Sequence, residues 1–172
     1  MPACAFPGWS QRPVAIVVAA IVPGPPDVVW NLITDWERQG DWMLEARDFV
    51  VTSAHREGVG VQAEATVRIG GITTRDRVRI TGWDLPRRLS LEHVGWVSGT
   101  GDLILIPVGV NETKVVWREA FRAPRLGPLG WLGPLGLGPV GRLGLLAFRP
   151  LLRRIFRRDL RVLAELVARS AR

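Results

Sequence analysis

From Val61 to Ile80 apolar and polar residues alternate along the chain. Val61, Ala63, Ala65, Val67 and Ile69 are interleaved with Gln62, Glu64, Thr66 and Arg68; beyond Gly70-Gly71, Ile72, Val78 and Ile80 stand against Thr73, Arg75, Arg77 and Arg79. A period of two is that of a strand with one dry face, and the glycine pair is a two-residue hairpin turn. The same pattern runs on to Phe121, with reversals at REGVG, TGWDLPRR and NET, and predicts about seven antiparallel strands, the last at 113–121. Ahead of it, VAIVVAAIV at 14–22 is apolar on both faces, which predicts a strand covered on both sides or lying beside the chain's main helix. PGPPDVVWNLITDW then reads as a turn and a short helix, with proline in the first turn and Val28, Trp30 and Leu32 on its apolar side. A second short helical piece follows Asp35, through 37–42.

Near the C-terminus the period changes. Leu145, Phe148, Leu152, Ile155, Phe156, Leu160, Leu163 and Leu166 recur every three or four residues, with Arg149, Arg153, Arg157 and Arg161 largely on other sides. This predicts one long helix at about 145–170, whose apolar stripe covers the dry face of the sheet. Between strand and helix lies GPLGWLGPLGLGPVGRLG, at 127–144. Glycine adds backbone entropy and each proline removes a donor, so 124–144 is expected to be an irregular connector. Its Leu129, Trp131, Leu132 and Leu135 are an apolar surface in need of cover, and three readings stand: a packed connector, a mobile lid, or a contact with a membrane. The opening MPACAFPGWSQRP suggests a disordered tail at 1–12 ahead of a single domain at 13–172.

Composition narrows the partners. A chain of 172 residues holds one domain with a sizeable core, and its 47% apolar fraction argues against disorder. The net charge of +7 arises entirely at 142–172, where nine arginines face Asp159 and Glu165. The remainder sums to zero, which speaks against a basic nucleic-acid-binding face and leaves two readings of the arginines: peripheral contact with an anionic membrane, or a solvated helix face. The single Cys4 permits no disulfide within the chain and fits a reducing cytoplasm; the apolar run at 14–22 is too short to span a membrane. Two histidines and one cysteine make no metal centre, and GGITT and GVG are turns rather than phosphate cradles, so neither a metal nor any other cofactor is expected.

A strand, two short helices, a six-stranded antiparallel run and a long C-terminal helix is the element order of the helix-grip fold. IVPGPPDVVWNLITDWERQGDWM resembles the opening signature of the polyketide cyclase/dehydrase-like proteins of the START/SRPBCC superfamily, in which a Pro-containing turn precedes a VW pair, an LxxD segment and a later tryptophan. The GVG turn at 58–60, WDLPRRLSL at 83–91 and TKVVW at 113–117 are further matches, and together they span roughly 14–168. The resemblance implies an α+β fold: a seven-stranded antiparallel curved sheet wrapped around the C-terminal helix, with two short helices between strands 1 and 2. It also implies an apolar cavity, used in the superfamily for lipids, polyketides, sterols and other hydrophobic molecules. It does not imply one reaction.

On that frame, Trp42, Trp96 and Trp117 are candidate cavity walls, joined by Val67, Thr74, Val78, Leu91, Leu103 and Leu105 from the strands and Phe148, Leu152 and Phe156 from the helix. Each also has a plain reading as core. A hairpin centred between Asp84 and Leu85 sets Ile80 opposite Leu89, Val78 opposite Leu91 and Asp76 opposite His93. A carboxylate beside an imidazole is suited to taking a proton from a carbon next to a ketone. Glu119, on a face with Thr113, Val115, Trp117 and Phe121, is the third candidate. The alternatives are a polar pair at the cavity mouth, a one-residue slip that turns both groups to solvent, and for Glu119 a strand-end carboxylate in water. Tyrosine is absent, which weighs against the enzyme reading. The leading expectation is binding, and transport, of a hydrophobic small molecule; the alternatives are a cyclase/dehydratase using His93 with Asp76 or Glu119, and an interaction protein acting through its arginine-rich helix.

Overall fold

The alternating segments form seven strands: β1 (Val14–Val22), β2 (Ala46–Val51), β3 (Gln62–Ile69), β4 (Ile72–Asp84), β5 (Arg88–Val94), β6 (Ser98–Gly109) and β7 (Glu112–Arg122). They make one antiparallel sheet in the order β1-β7-β6-β5-β4-β3-β2, in a computed structural model that describes residues 13–94, 98–122 and 138–170. Strands β2 to β7 follow one another as neighbours, and β1 closes the sheet against β7. Between β1 and β2 lie α1 (Pro26–Ile33), a 3-10 turn (Trp36–Arg38) and α2 (Gln39–Trp42); α3 (Gly138–Ser170) ends the described chain.

Burial follows the pleat. In β7, Thr113, Val115, Trp117 and Glu119 are buried while Lys114 and Arg118 are exposed. Along α3, Leu152, Phe156, Leu160, Leu163 and Val167 form the buried stripe that covers this inner face. Burying a leucine fully is worth about 1.5–3 kcal/mol, so Leu160 and Leu163, both at 0% exposure, fasten the helix to the sheet. The short helices are pinned by aromatic contacts: Trp30 meets Trp83 edge-on at 5.2 Å and Trp36 stacks on Phe49 at 6.0 Å.

Three expectations change. Strand β1 packs along α3 but is dry on one face only: Val14, Ile16, Val18 and Val22 are buried, whereas Val17 and Ile21 stand 45% and 51% exposed on an outer face that nothing described here covers. In α1 the buried side chains are Val29, Trp30, Leu32 and Ile33, and Val28 turns outward. The helix α3 includes 138–144, which were expected in the irregular connector. The tail at 1–12 and the connector up to 137 lie outside the described residues. Among the described residues no helix is long and apolar enough to cross a membrane.

Candidate functional site

Strands β4 and β5 pair with Val78 opposite His93 and Ile80 opposite Leu91; after an irregularity, Gly82 faces Ser90 and Asp84 faces Arg88. The expected register is therefore wrong by two residues, because the turn centres on Pro86 and a bulge follows Ile80. A slip of two keeps every side chain on its face. Asp76 and His93 are diagonal rather than directly opposed, and they still meet: His93 Nδ1 lies 2.8 Å from Asp76 Oδ2. The other ring nitrogen, Nε2, lies 3.1 Å from Glu119 Oε2, and Trp117 Nε1 donates to Glu119 Oε1 at 2.8 Å.

His93 reaches Glu119 across an intervening strand. β6 lies between β5 and β7, with Gly99 paired to His93 and Gly101 paired to Glu119. A Cβ at Gly101 would stand 2.5 Å from Glu119 Oε1, and one at Gly99 would stand 2.4 Å from the Ala120 carbonyl oxygen. Gly101 leaves the room that the Glu119 carboxylate occupies, and Gly99 lets β6 approach the β7 backbone. Alternate glycines inside a strand signal such a close approach, and SGTGD was the readable sign that sequence reasoning passed over.

The cluster borders a cavity of ≈ 190 Å³ between sheet and helix. Its sheet wall includes Val67, Ile69, Thr74, Asp76, His93, Trp117, Glu119 and Phe121, with Arg75 at the edge; Met43, Glu45 and Ala46 come from the α2–β2 turn and Leu145, Leu152 and Phe156 from α3. Trp117 stacks on Phe156 at 4.4 Å, and the His93 ring stands 5.5 Å from Phe121. Of the cavity residues expected from sequence, Val67, Thr74, Trp117, Leu152 and Phe156 lie in this lining.

The others do not. Trp42, 1% exposed, sits one layer behind, edge-on to Trp117 at 5.7 Å. Leu103 and Leu105 are buried in the core and Leu91 packs against it. Val78 borders a separate hollow with Thr52, Gln62 and Val94. Phe148 is 43% exposed, beside the β3–β4 turn at Gly70. Trp96 and the proposed lid residues Leu129, Trp131, Leu132 and Leu135 lie outside the described residues. Sequence reasoning missed Met43, Glu45, Ala46, Ile69, Arg75, Phe121 and Leu145 as wall residues.

Burial opposes charge on His93, but the hydrogen bonds and negative charges of Asp76 and Glu119 outweigh it and push the imidazole up to about 10, so it is an imidazolium at neutral pH. Across the cavity, burial and the neighbouring Asp159 push the Glu45 carboxyl up to about 8, against the pull of Arg158. Arg158 Nη2 bonds Glu45 Oε2 at 2.7 Å and Asp159 Oδ1 at 3.0 Å. Asp159 is fully buried, and its Oδ2 has no hydrogen-bond partner among the described residues.

Comparison with solved structures gives the same architecture. An aromatase/cyclase from a Streptomyces species superposes with a TM-score of 0.74 at 19% identity, over 92% of this chain and 96% of its own. A Thermus thermophilus protein gives 0.69 at 20% identity, over 92% and 100%. A START superfamily protein from Mycobacterium smegmatis gives 0.62 at 12% identity, over 90% and 95%. At such identities the likeness shows the fold alone. No curated protein matches the sequence at a significant level. The family model described as polyketide cyclase / dehydrase and lipid transport matches residues 13–168, nearly the whole chain, and the protein belongs to that family.

Proposed function

We propose that the protein binds, and carries, a hydrophobic ring-bearing small molecule between the sheet and α3. The observation that carries the reading is the cavity itself, with flat walls in Trp117, Phe121 and Phe156 and the Asp76–His93–Glu119 cluster on the sheet. Native mass spectrometry of the protein purified from its own host, followed by extraction, tests it. A stoichiometric apolar molecule is the expected result. An empty protein that also fails to take up a neutral hydrophobic dye would sink the reading. The reading includes a cytoplasmic location, which the single cysteine, requiring no oxidising compartment, supports.

A second reading, acid–base catalysis of the cyclase/dehydratase kind, draws on the position of His93 between two carboxylates. As an imidazolium with both N–H groups engaged, His93 is no free base. Both Glu119 oxygens are also engaged, which leaves Asp76 as the acceptor for a substrate proton, with His93 orienting it. An aryl β-hydroxy ketone tests this, since its dehydration to the enone is visible in the near ultraviolet. Catalysed enone formation that Asp76→Asn abolishes, with binding kept, supports the reading; a rate equal to that in buffer removes it.

Peripheral membrane contact extends the first reading. Phe148 and Leu151 are 43% and 39% exposed, close to Gly70, and the exposed Arg149, Arg154, Arg157 and Arg161 of α3 form no ion pair among the described residues. Binding to anionic but not zwitterionic vesicles, weakened by salt, is expected; equal binding to both would dismiss it.

A further inference from the structure

Hydrogen-bond donors and acceptors around His93 restrict what the cavity accepts. Each N–H of the cluster points at a carboxylate: Nδ1 of His93 at Asp76 Oδ2, Nε2 at Glu119 Oε2, and Trp117 Nε1 at Glu119 Oε1. No donor of the cluster is left for a ligand. Asp76 lines the cavity, its side chain is 21% exposed, and its Oδ1 makes no hydrogen bond among the described residues. The open position is an acceptor.

Charge points the same way. With one proton in each hydrogen bond to the imidazole, the Asp76–His93–Glu119 cluster carries one negative charge overall. Moving either proton from nitrogen to oxygen along its bond leaves that total unchanged. Among the described residues no nearby cation cancels it: the Arg75 side chain at the rim is 77% exposed, where water screens it, and Arg158 is committed to Glu45 and Asp159. Glu45, the remaining acid of the lining, keeps its proton at neutral pH through burial and Asp159.

We propose that the cavity selects ligands that bring a hydrogen-bond donor to Asp76, either a phenolic or alcoholic hydroxyl or an ammonium group, with the attached ring against Trp117 and Phe156, and excludes ligands that bring a carboxylate or phosphate there. The inference rests on the cavity-binding reading above and names its ligand class. An unpaired carboxylate oxygen among apolar walls gains most from a donor and repels an anion, because the surroundings screen little.

The test is calorimetric titration of the intact chain at neutral pH with four probes of one ring system: naphthalene, β-naphthol, β-naphthylmethylammonium and β-naphthoate. The naphthol and the ammonium are expected to bind about tenfold or more tighter than naphthalene, and the naphthoate weaker by a similar factor. In Asp76→Asn the amide keeps the hydrogen bond to His93 without the charge, so the ammonium loses its advantage and the naphthoate recovers. Equal affinity for naphthoate and naphthol in the unaltered protein overturns the inference while leaving cavity binding intact. Failure of all four probes to bind overturns both.

Discussion

Raising the pH from 5 to 10 is the perturbation that interrogates both walls of the cavity together. His93 has its imidazole raised from an ordinary 6.5 to about 10, and Glu45 has its carboxyl raised from 4.5 to about 8. Between the lower and upper value of each group the folded chain holds a proton that the unfolded chain has released, so stability falls as pH rises. The His93 contribution is fully present below pH 6.5 and lost by about 10; the Glu45 contribution is lost between 4.5 and about 8. One proton corresponds to about 1.4 kcal/mol per pH unit, so each group is worth on the order of 5 kcal/mol across its window. The windows overlap between 6.5 and about 8, where the loss is steepest, at roughly twice the single-proton slope. Urea unfolding followed by the fluorescence of the eight tryptophans, repeated at half-unit pH steps, measures the profile. Glu45→Gln is expected to flatten the part below 6.5 and His93→Gln the part above 8, whatever each does to stability at one pH. Stability that is flat or rising between pH 6.5 and 8 in the unaltered protein refutes the assignment of protons to both groups.

Gly101→Ala forces a Cβ to within 2.5 Å of Glu119 Oε1; it should cost about 2–4 kcal/mol in urea unfolding and lower the titration midpoint of His93 seen by NMR, through loss of the Glu119 hydrogen bonds. Leu160→Ala, at a position with 0% exposure on α3, should cost about 2–5 kcal/mol with ligand contacts untouched, since Leu160 is not in the cavity lining. Thr113→Val removes the buried 2.7 Å hydrogen bond to the Gly24 carbonyl and should cost about 1–3 kcal/mol, read from the same unfolding curves.

Periodicity carried the fold. Alternation from Val61 to Phe121 and the three-and-four spacing after Leu145 are each produced by one buried face, and a buried face is what a sequence records most plainly. The hairpin register was less legible, because a bulge inserts a residue that alternation alone does not locate; Gly82 inside a strand was its one mark. The exposed half of β1 left no mark at all, since Val17 and Ile21 read as buried wherever they stand. Asp159 could have been found: it lies on the stripe of Leu152, Phe156, Leu163 and Val167, where an unbroken helix face should carry an apolar residue. Glu45 could not, because it acquires a neighbour 114 positions away only when α3 folds over the α2–β2 turn.

The distribution of buried polar residues separates scaffold from site. Among the described residues five polar or charged ones are buried: Gln39, Glu45, Thr113, Glu119 and Asp159. Gln39 and Thr113 each give a hydrogen bond to a backbone carbonyl, of Ile33 and of Gly24, and so hold a turn in place. The three acids have no such task. Glu119 and Glu45 border the cavity from opposite walls, and Asp159 backs Glu45 through Arg158. Burying a carboxyl group is costly, and replacing such a network by well-packed apolar side chains is often neutral or stabilising, so stability alone gives no reason to keep it. Leucine at any of the three would extend a core that already surrounds them. Their presence ties the expense to the cavity: the sheet holds the carboxylates around His93, and the α2–β2 turn holds a carboxyl that stays protonated at neutral pH.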